Sequence, residues 1–142
     1  MSDEKNLREA GRWLSTADDD LASARILEKN GQYAHACFHA QQAAEKSLKA
    51  LWIREDADPW GHSVKKLIDD LEAINVTAHQ DFDQYARAGL ILDRFYIPTR
   101  YPNGLPDLTP AEAFVTDDAA NCVLLAGIIV DAVHRYISGA KR

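Results

Sequence analysis

The sequence predicts an all-α protein, an antiparallel up-and-down bundle of four main helices with one or two shorter helices. Apolar residues recur every three or four positions through residues 6–29 and 117–137, the repeat of a helix that buries one face. Residues 33–52 contain neither Gly nor Pro and are rich in Ala, Gln, Glu, Lys and Leu, which favour helix. No stretch shows the strict alternation of a strand, and no internal repeat is present.

The first two helices are predicted to form a hairpin. Asn30-Gly31 marks the end of the first helix, because both residues tolerate a left-handed backbone. The short link then places the second helix antiparallel to the first. An acidic run at residues 18–20 is expected to face solvent, with a basic partner as the alternative. The positions of the first helix that we expect to be buried are Leu7, Ala10, Leu14, Ala17, Leu21, Ala24 and Leu27.

The second helix is predicted to have a buried face and a polar face. Winding it at about 100° per residue places small and apolar side chains on one side. These are Tyr33, Cys37, Ala40, Ala44, Leu48 and Leu51. The opposite side carries a strip of hydrogen-bonding and basic side chains, called the polar strip below. It consists of His35, His39, Gln42, Lys46 and Lys49.

Two further helices are predicted between residues 63 and 94. Ser63 can cap the third helix, which is expected to end near Asn75. Thr77 and Gln80 have the spacing of a capping box, so the fourth helix is predicted to begin there and to fray near Arg94.

Residues 92–110 predict a semi-rigid loop, because they contain four of the five prolines. The loop also carries Arg94, Tyr96, Arg100 and Tyr101. A guanidinium and a phenol on a stiffened loop suit recognition of an anion or a base. The alternative is an ordered connection whose arginines pair with acidic helices.

The last part of the chain returns to helix. Thr109-Pro110-Ala111-Glu112 has cap, Pro and Glu in capping-box order, and a long helix is predicted from Asp117 to about Ile137. That helix is apolar on more than one side, which is typical of a central helix or of a subunit interface.

Composition limits the function classes. With 46% apolar and 27% charged residues, the chain has the composition of an ordinary globular domain, and no apolar run approaches the ~20 residues of a membrane span. The charged N-terminus lacks an apolar signal segment, so a cytoplasmic location is expected. A net charge of −6 argues against a broad nucleic-acid surface but is compatible with a local basic pocket. Cys37 and Cys122 are predicted to be buried free thiols, and no metal or cofactor site is predicted.

Several segments together resemble one known family. They are the Trp13 and Ala17–Leu21 segment, the run YAHACFHAQQAAEKSLKA from Tyr33, His62-Ser-Val-Lys-Lys-Leu67, Thr99-Arg-Tyr-Pro102 and the Ala-rich final helix. In these features the chain resembles the HEPN domain family, named for its occurrence in higher eukaryotes and prokaryotes. The features span nearly the whole chain, so residues 1–142 are predicted to be a single HEPN-like domain.

The resemblance implies a bundle of antiparallel helices that usually forms a homodimer with a cleft at the dimer contact. The fold is also similar to the helical half of aminoglycoside nucleotidyltransferases. Family members are often encoded beside minimal nucleotidyltransferases as toxin–antitoxin partners, so such a protein is an implied partner.

The family divides into two functional kinds. Some members are metal-independent ribonucleases with an Arg, a polar residue and a His separated from the Arg by four to six residues. In this chain Leu105, Pro106 and Asp107 stand at those distances from Arg100, and the nearest Arg-then-His pair, Arg54 and His62, has seven residues between. The other kind lacks the motif and is thought to bind nucleotides or to act as a scaffold. We assign the chain to that second, non-catalytic kind.

A site hypothesis follows from the residues. The polar strip is expected to face the Arg100-Tyr101 loop across a groove, where Lys46, Lys49 and Arg100 would hold phosphate. Tyr101 would stack on a base and Gln42 would bond its edge. His39 and His62 are expected to donate to an anion, because an imidazole can carry a proton. The set has a structural alternative, in which the histidines are structural and Glu45 pairs with Lys49.

Three functions remain open at this point. The first is a non-catalytic module that binds a nucleotide or RNA and acts with a nucleotidyltransferase partner. The second is a metal-independent ribonuclease that uses a displaced His62. The third is a helical interaction domain without a ligand.

Overall fold

The computed structural model describes residues 2–139, and these form seven α-helices and three short 3₁₀ helices with no strand among them. The predicted all-α bundle is therefore confirmed. Three helices are long: α1 (Asp3–Lys29), α2 (Tyr33–Arg54) and α7 (Thr116–Gly139). Four are short: α3 (Val64–Asp69), α4 (Val76–Phe82), α5 (Ala86–Asp93) and α6 (Pro110–Ala113). The 3₁₀ helices are Asp70–Ala73, Asp83–Tyr85 and Pro102–Gly104.

The third and fourth main helices are built from pieces. The third consists of α3 and the 3₁₀ helix that follows it, and the fourth consists of α4 and α5 joined through the 3₁₀ turn at Asp83–Tyr85. The predicted capping box at Thr77 is wrong. Asn75 caps α4 instead, because its side chain accepts a hydrogen bond from the Ala78 backbone nitrogen at 3.1 Å.

Other helix boundaries follow the predicted signals. Gly31 adopts a left-handed φ of 77° directly after α1. The Ser63 hydroxyl accepts from the Lys66 nitrogen at 3.0 Å and caps α3. Thr109 and Glu112 form the predicted capping box at the start of α6. Each device satisfies backbone groups that a helix end leaves unpaired.

Helix α2 lies at the centre of the bundle, against α1 on one side and α7 on the other. Its predicted buried stripe is confirmed from Cys37 through Leu51, where every member is fully buried. Tyr33, at the start of the stripe, is half-buried. Alanines on this stripe allow the neighbouring helices to approach closely, because their side chains add little bulk.

Helix α7 is apolar on two sides. It buries Ile129 and Val133 in the core, yet Leu124 is 61% exposed and Ile128 is 41% exposed. By length and composition alone α7 could cross a membrane, contrary to the expectation that no apolar run approaches that length. However, 44% of its apolar window is buried in the bundle, and a core helix of a soluble protein passes the same test.

Candidate functional site

The start of α3 is fixed by α5. The Asp93 carboxylate accepts hydrogen bonds from the backbone nitrogens of Val64 (2.8 Å) and Lys65 (3.1 Å) and from the Ser63 hydroxyl (2.7 Å). One turn earlier on α5, Gly89 allows a close approach, since a Cβ there would lie 3.0 Å from the Lys65 nitrogen. These contacts determine where the loop before α3 leaves the bundle.

His62 is held on that loop by its backbone and leans on α2 with its ring. Its carbonyl accepts from the Gln41 side-chain amide at 2.8 Å, and Gln41 is fully buried. Its Nδ1 lies 3.5 Å from Oε1 of Glu45, a carboxylate that is 3% exposed. The His62 side chain nevertheless stays 63% exposed. The arrangement therefore presents an imidazole to solvent with a carboxylate behind it.

Aromatic rings surround the Arg100 guanidinium. Its Cζ lies 4.7 Å from the Phe38 ring centroid, 4.5 Å from Tyr96 and 5.0 Å from Tyr101, within cation–π distance of all three. Tyr96 also stacks in parallel with His62, with centroids 5.1 Å apart and planes 16° apart. We call these five residues the Arg100 cluster.

The loop geometry orients the Arg100 side chain. The Arg100 and Tyr101 nitrogens both donate to the Ile97 carbonyl, and the Arg100 Nε donates to the Tyr96 carbonyl at 2.9 Å. Thr99, only 1% exposed, anchors the turn by donating to the Phe95 carbonyl. Within residues 2–139 no carboxylate lies at ion-pair distance from Arg100, so its terminal N–H groups remain available for an anion.

The basic residues of the polar strip have other partners. Lys46 forms a 2.7 Å ion pair with Asp20 on α1, and His39 Nδ1 lies 3.5 Å from the same carboxylate. Asp20 is therefore 16% exposed in its side chain and does not simply face solvent as expected for the acidic run. Lys49 forms a 3.1 Å ion pair with Glu45, the i,i+4 pair that the structural alternative anticipated.

The environment of Asp20 favours its charged form. Burial raises the pKa of this carboxyl, but hydrogen bonds and attraction from His39 and Lys46 outweigh that effect. The pKa of Asp20 consequently lies below its ordinary value. The contact of α1 with α2 thus includes a charged pair that persists at neutral pH.

The structure brings together part of the predicted site. His62, Arg100 and Tyr101 belong to the Arg100 cluster, whereas Lys46 and Lys49 pair with the carboxylates described above. Gln42 reaches the cluster indirectly, because its amide donates to Gln41 at 2.8 Å and lies 3.4 Å from Glu45. Instead of facing the whole polar strip across a groove, the loop contacts α2 through Phe38.

Phe38 and Asp93, which help to build the site, were not among the predicted site residues, and Tyr96 was noted only as one of the aromatic residues of the loop. Phe38 supplies the α2 wall of the cluster, and its ring also meets that of His39 edge-on at 5.6 Å. Tyr96 links Arg100 to His62, and Asp93 positions the loop that carries His62. The clue for Tyr96 was its spacing four residues before Arg100, which matches a turn of helix. For Asp93 the local sequence offers no signal.

A cavity of about 250 Å³ opens beside Arg100. Its walls are residues 31–35 at the start of α2, Thr99 and Arg100 from the loop, and residues 109–111 at the start of α6.

Within the part of the chain that the structure describes, no group of three His, Cys, Asp or Glu could hold a metal ion. Cys37 and Cys122 are free and fully buried, and hydrogen bonding between them together with burial raises the pKa of the Cys122 thiol.

Comparison with known proteins places this geometry in context. The sequence profile described as HEPN domain matches residues 10–136. A protein from Methanocaldococcus jannaschii named "Putative toxin MJ1304" is 24% identical over 139 residues, which cover 93% of this chain and 90% of that protein.

Solved structures share the fold over most of their length. The crystal structure of TT1696 from Thermus thermophilus is 37% identical, with a TM-score of 0.80 over 89% of this chain and 96% of that one. The archaeal HEPN homologue ST0689 is 31% identical, with a TM-score of 0.73 over 90% and 97% of the two chains. An HEPN domain protein from Thermotoga maritima is 28% identical, with a TM-score of 0.67 over 89% and 98%.

Proposed function

Since the chain belongs to the HEPN domain family, we propose that it is a non-catalytic HEPN module of the toxin–antitoxin type that binds a nucleotide or RNA phosphate at the Arg100 cluster. It acts as a cytoplasmic homodimer together with a minimal nucleotidyltransferase. The name of the M. jannaschii relative supports the toxin–antitoxin setting. The partner and the dimer are carried over from the family resemblance.

One observation carries the binding proposal: the Arg100 guanidinium lies among three rings and has no carboxylate partner in residues 2–139. The rings restrict the guanidinium plane and leave its terminal N–H groups free to donate to phosphate oxygens. The Tyr101 ring is 50% exposed and offers a face for a base. His62, exposed beside Tyr96, adds a second donor.

The spacing of the basic residues supports a non-catalytic role. No His follows Arg100 with four to six residues between them, and His62 comes from a different loop. The homodimer is supported by the exposed apolar side chains of α7, Leu124 and Ile128, which a second copy would cover.

Ribonuclease activity is the second candidate, and one contact favours it. Arg100 and His62 both lie against Tyr96, so a proton carrier and a phosphate binder share one cluster despite their distance in sequence. Glu45 behind Nδ1 would leave Nε2 to face a substrate.

Calorimetric titration with ATP and GTP tests the binding proposal. We expect saturable heat for the native protein and at least a tenfold loss of affinity in Arg100→Ala, because one charge-assisted phosphate contact contributes about 1.5–3 kcal/mol. Arg94→Ala is the matched control, since Arg94 is exposed on the same segment. Absence of heat at millimolar nucleotide, or equal affinity in both variants, would refute the binding site.

Two further measurements address activity and partners. Single-stranded RNA incubated with native protein and with His62→Ala should remain intact in both; cleavage by the native protein alone would establish the ribonuclease candidate.

A small nucleotidyltransferase should co-purify with the protein from its native host, and light scattering should give the mass of a dimer. A monomer would contradict the homodimer.

A further inference from the structure

The cavity beside Arg100 differs in charge from four other surface cavities formed by the described residues. Its walls contain Arg100 and His35 and no Asp or Glu. Four other surface cavities each include at least one carboxylate: Asp81, Asp56, Asp70 and Glu9 are examples. In a chain of net charge −6, a cavity lined by an unpaired guanidinium and no carboxylate is therefore suited to an anion.

The size of the cavity selects part of a nucleotide. Sites that enclose a whole drug-sized ligand typically measure about 300–1,000 Å³. At about 250 Å³ this cavity is smaller, so a nucleotide cannot be enclosed in it entirely. The Tyr101 ring lies over the same guanidinium but outside the cavity walls, and it is half exposed.

We infer that this cavity receives the phosphate chain of a nucleoside di- or triphosphate, while the base stays outside against Tyr101. The inference rests on the proposed function and specifies how that site discriminates. Donors are concentrated in the cavity, and a stacking ring accepts every base. The site therefore selects the number of phosphates and is nearly indifferent to the base.

One nearby carboxylate opposes an anion at this place. Glu112 accepts hydrogen bonds from the backbone nitrogen and the hydroxyl of Thr109, one of the wall residues. These bonds, the backbone one first, hold the pKa of Glu112 below its ordinary value, so it is charged at neutral pH. If an anion binds here, removal of this charge should raise the affinity, and an added carboxylate at the cavity wall should lower it.

The test is calorimetric titration of the full chain with two variants. Glu112→Gln keeps a residue that suits a capping box and removes the charge, so affinity for ATP should rise by about fivefold. Ala111→Glu adds a carboxylate at the cavity wall, where the first turn of α6 tolerates Glu, and affinity should fall by about fivefold. Ala120→Glu, an exposed position on α7, is the matched control and should leave affinity unchanged. A variant that merely disturbed the fold would not produce both signs.

A ligand series completes the experiment. We expect ATP, GTP, CTP and UTP to bind within about threefold of one another, because stacking on an aromatic ring differs little between bases. AMP, which has a single phosphate, should bind at least tenfold more weakly. Inorganic tripolyphosphate should displace ATP.

The outcomes separate the two proposals. If ATP binds in an Arg100-dependent manner but tripolyphosphate does not compete and neither Glu variant changes affinity, the phosphate assignment is wrong and the nucleotide site stands. A preference of more than tenfold for one base would also refute the phosphate assignment. If neither ATP nor tripolyphosphate binds, both proposals fail.

Discussion

Gly89 of α5 lies against the backbone of Lys65, so that a Cβ added to Gly89 would stand 3.0 Å from the Lys65 nitrogen and 3.3 Å from its Cα. Backbone atoms in the first turn of α3 cannot move aside as a flexible side chain would. Gly89→Ala should therefore lower the free energy of unfolding by roughly 1–2 kcal/mol, since overpacking exceeds the gain in helix propensity. Urea denaturation followed by circular dichroism measures it.

Gly11 supplies the matched control for that substitution. It lies in α1, is exposed, and a Cβ there would meet nothing within 4 Å. Gly11→Ala should stabilise the protein by about 0.5–1 kcal/mol through helix propensity alone. If Gly89→Ala also stabilised the protein, the close approach of α5 to α3 would be wrong.

Removal of the Asp93 carboxylate should destabilise the start of α3. Asp93→Ala leaves the Val64 and Lys65 nitrogens and the Ser63 hydroxyl without their shared acceptor. We expect a loss of about 1–3 kcal/mol in urea denaturation. Asp19→Ala, at an exposed position of α1, should stay within about 0.5 kcal/mol of the native protein. Equal losses in the two variants would show that Asp93 is not a specific cap.

The pair of Asp20 with Lys46 predicts a pH-dependent contribution to stability. The folded protein holds the pKa of Asp20 below its ordinary value of 3.8, so the unfolded chain binds the proton more readily. The contribution is therefore complete well above pH 3.8 and disappears as the pH falls through the lower folded pKa. Unfolding free energies of native protein and Asp20→Asn should differ at pH 7, begin to converge as the pH falls towards the ordinary pKa of 3.8, and meet only below the lower folded pKa. A gap that persists at low pH would exclude this linkage; Asp19→Asn should show no gap.

The two cysteines should be unreactive while the protein is folded. Both are fully buried, and hydrogen bonding with Cys37 and burial raise the pKa of the Cys122 thiol, which suppresses the reactive thiolate. With Ellman's reagent we expect no labelling of the native protein in the time that a denatured sample needs to label two thiols per chain. Rapid labelling of the folded protein would show that α2 and α7 separate readily.

The sequence predicted the bundle because its signals are local. Helix periodicity depends on residues three or four apart, and the Thr109 to Glu112 capping box spans three, so both were readable without knowledge of the fold. The error at Thr77 has the same origin. Asn75 and Thr77 are both good caps, and the choice depends on how α4 meets the 3₁₀ helix before it.

The candidate site was less predictable because it depends on contacts between distant residues. Helical geometry placed Lys46 and Lys49 on one strip, but it could not show that Asp20 of α1 would reach Lys46 across 26 positions. The contact between the Arg100 loop and α2 was anticipated, although through Gln42 and not through Phe38. Asp93 bonds residues about 30 positions away, and no local pattern contains that information.

The way α5 holds the start of α3 also bears on the order of assembly during synthesis. Helices α1 and α2 are adjacent in the chain and can form a hairpin early, because contacts of short sequence separation close at little entropic cost. The start of α3 directly after His62, by contrast, receives its carboxylate cap only once Asp93 has been made and has docked, and Arg100 comes later still. A nascent chain that stalls before residue 93 would therefore expose the hairpin without the Arg100 cluster.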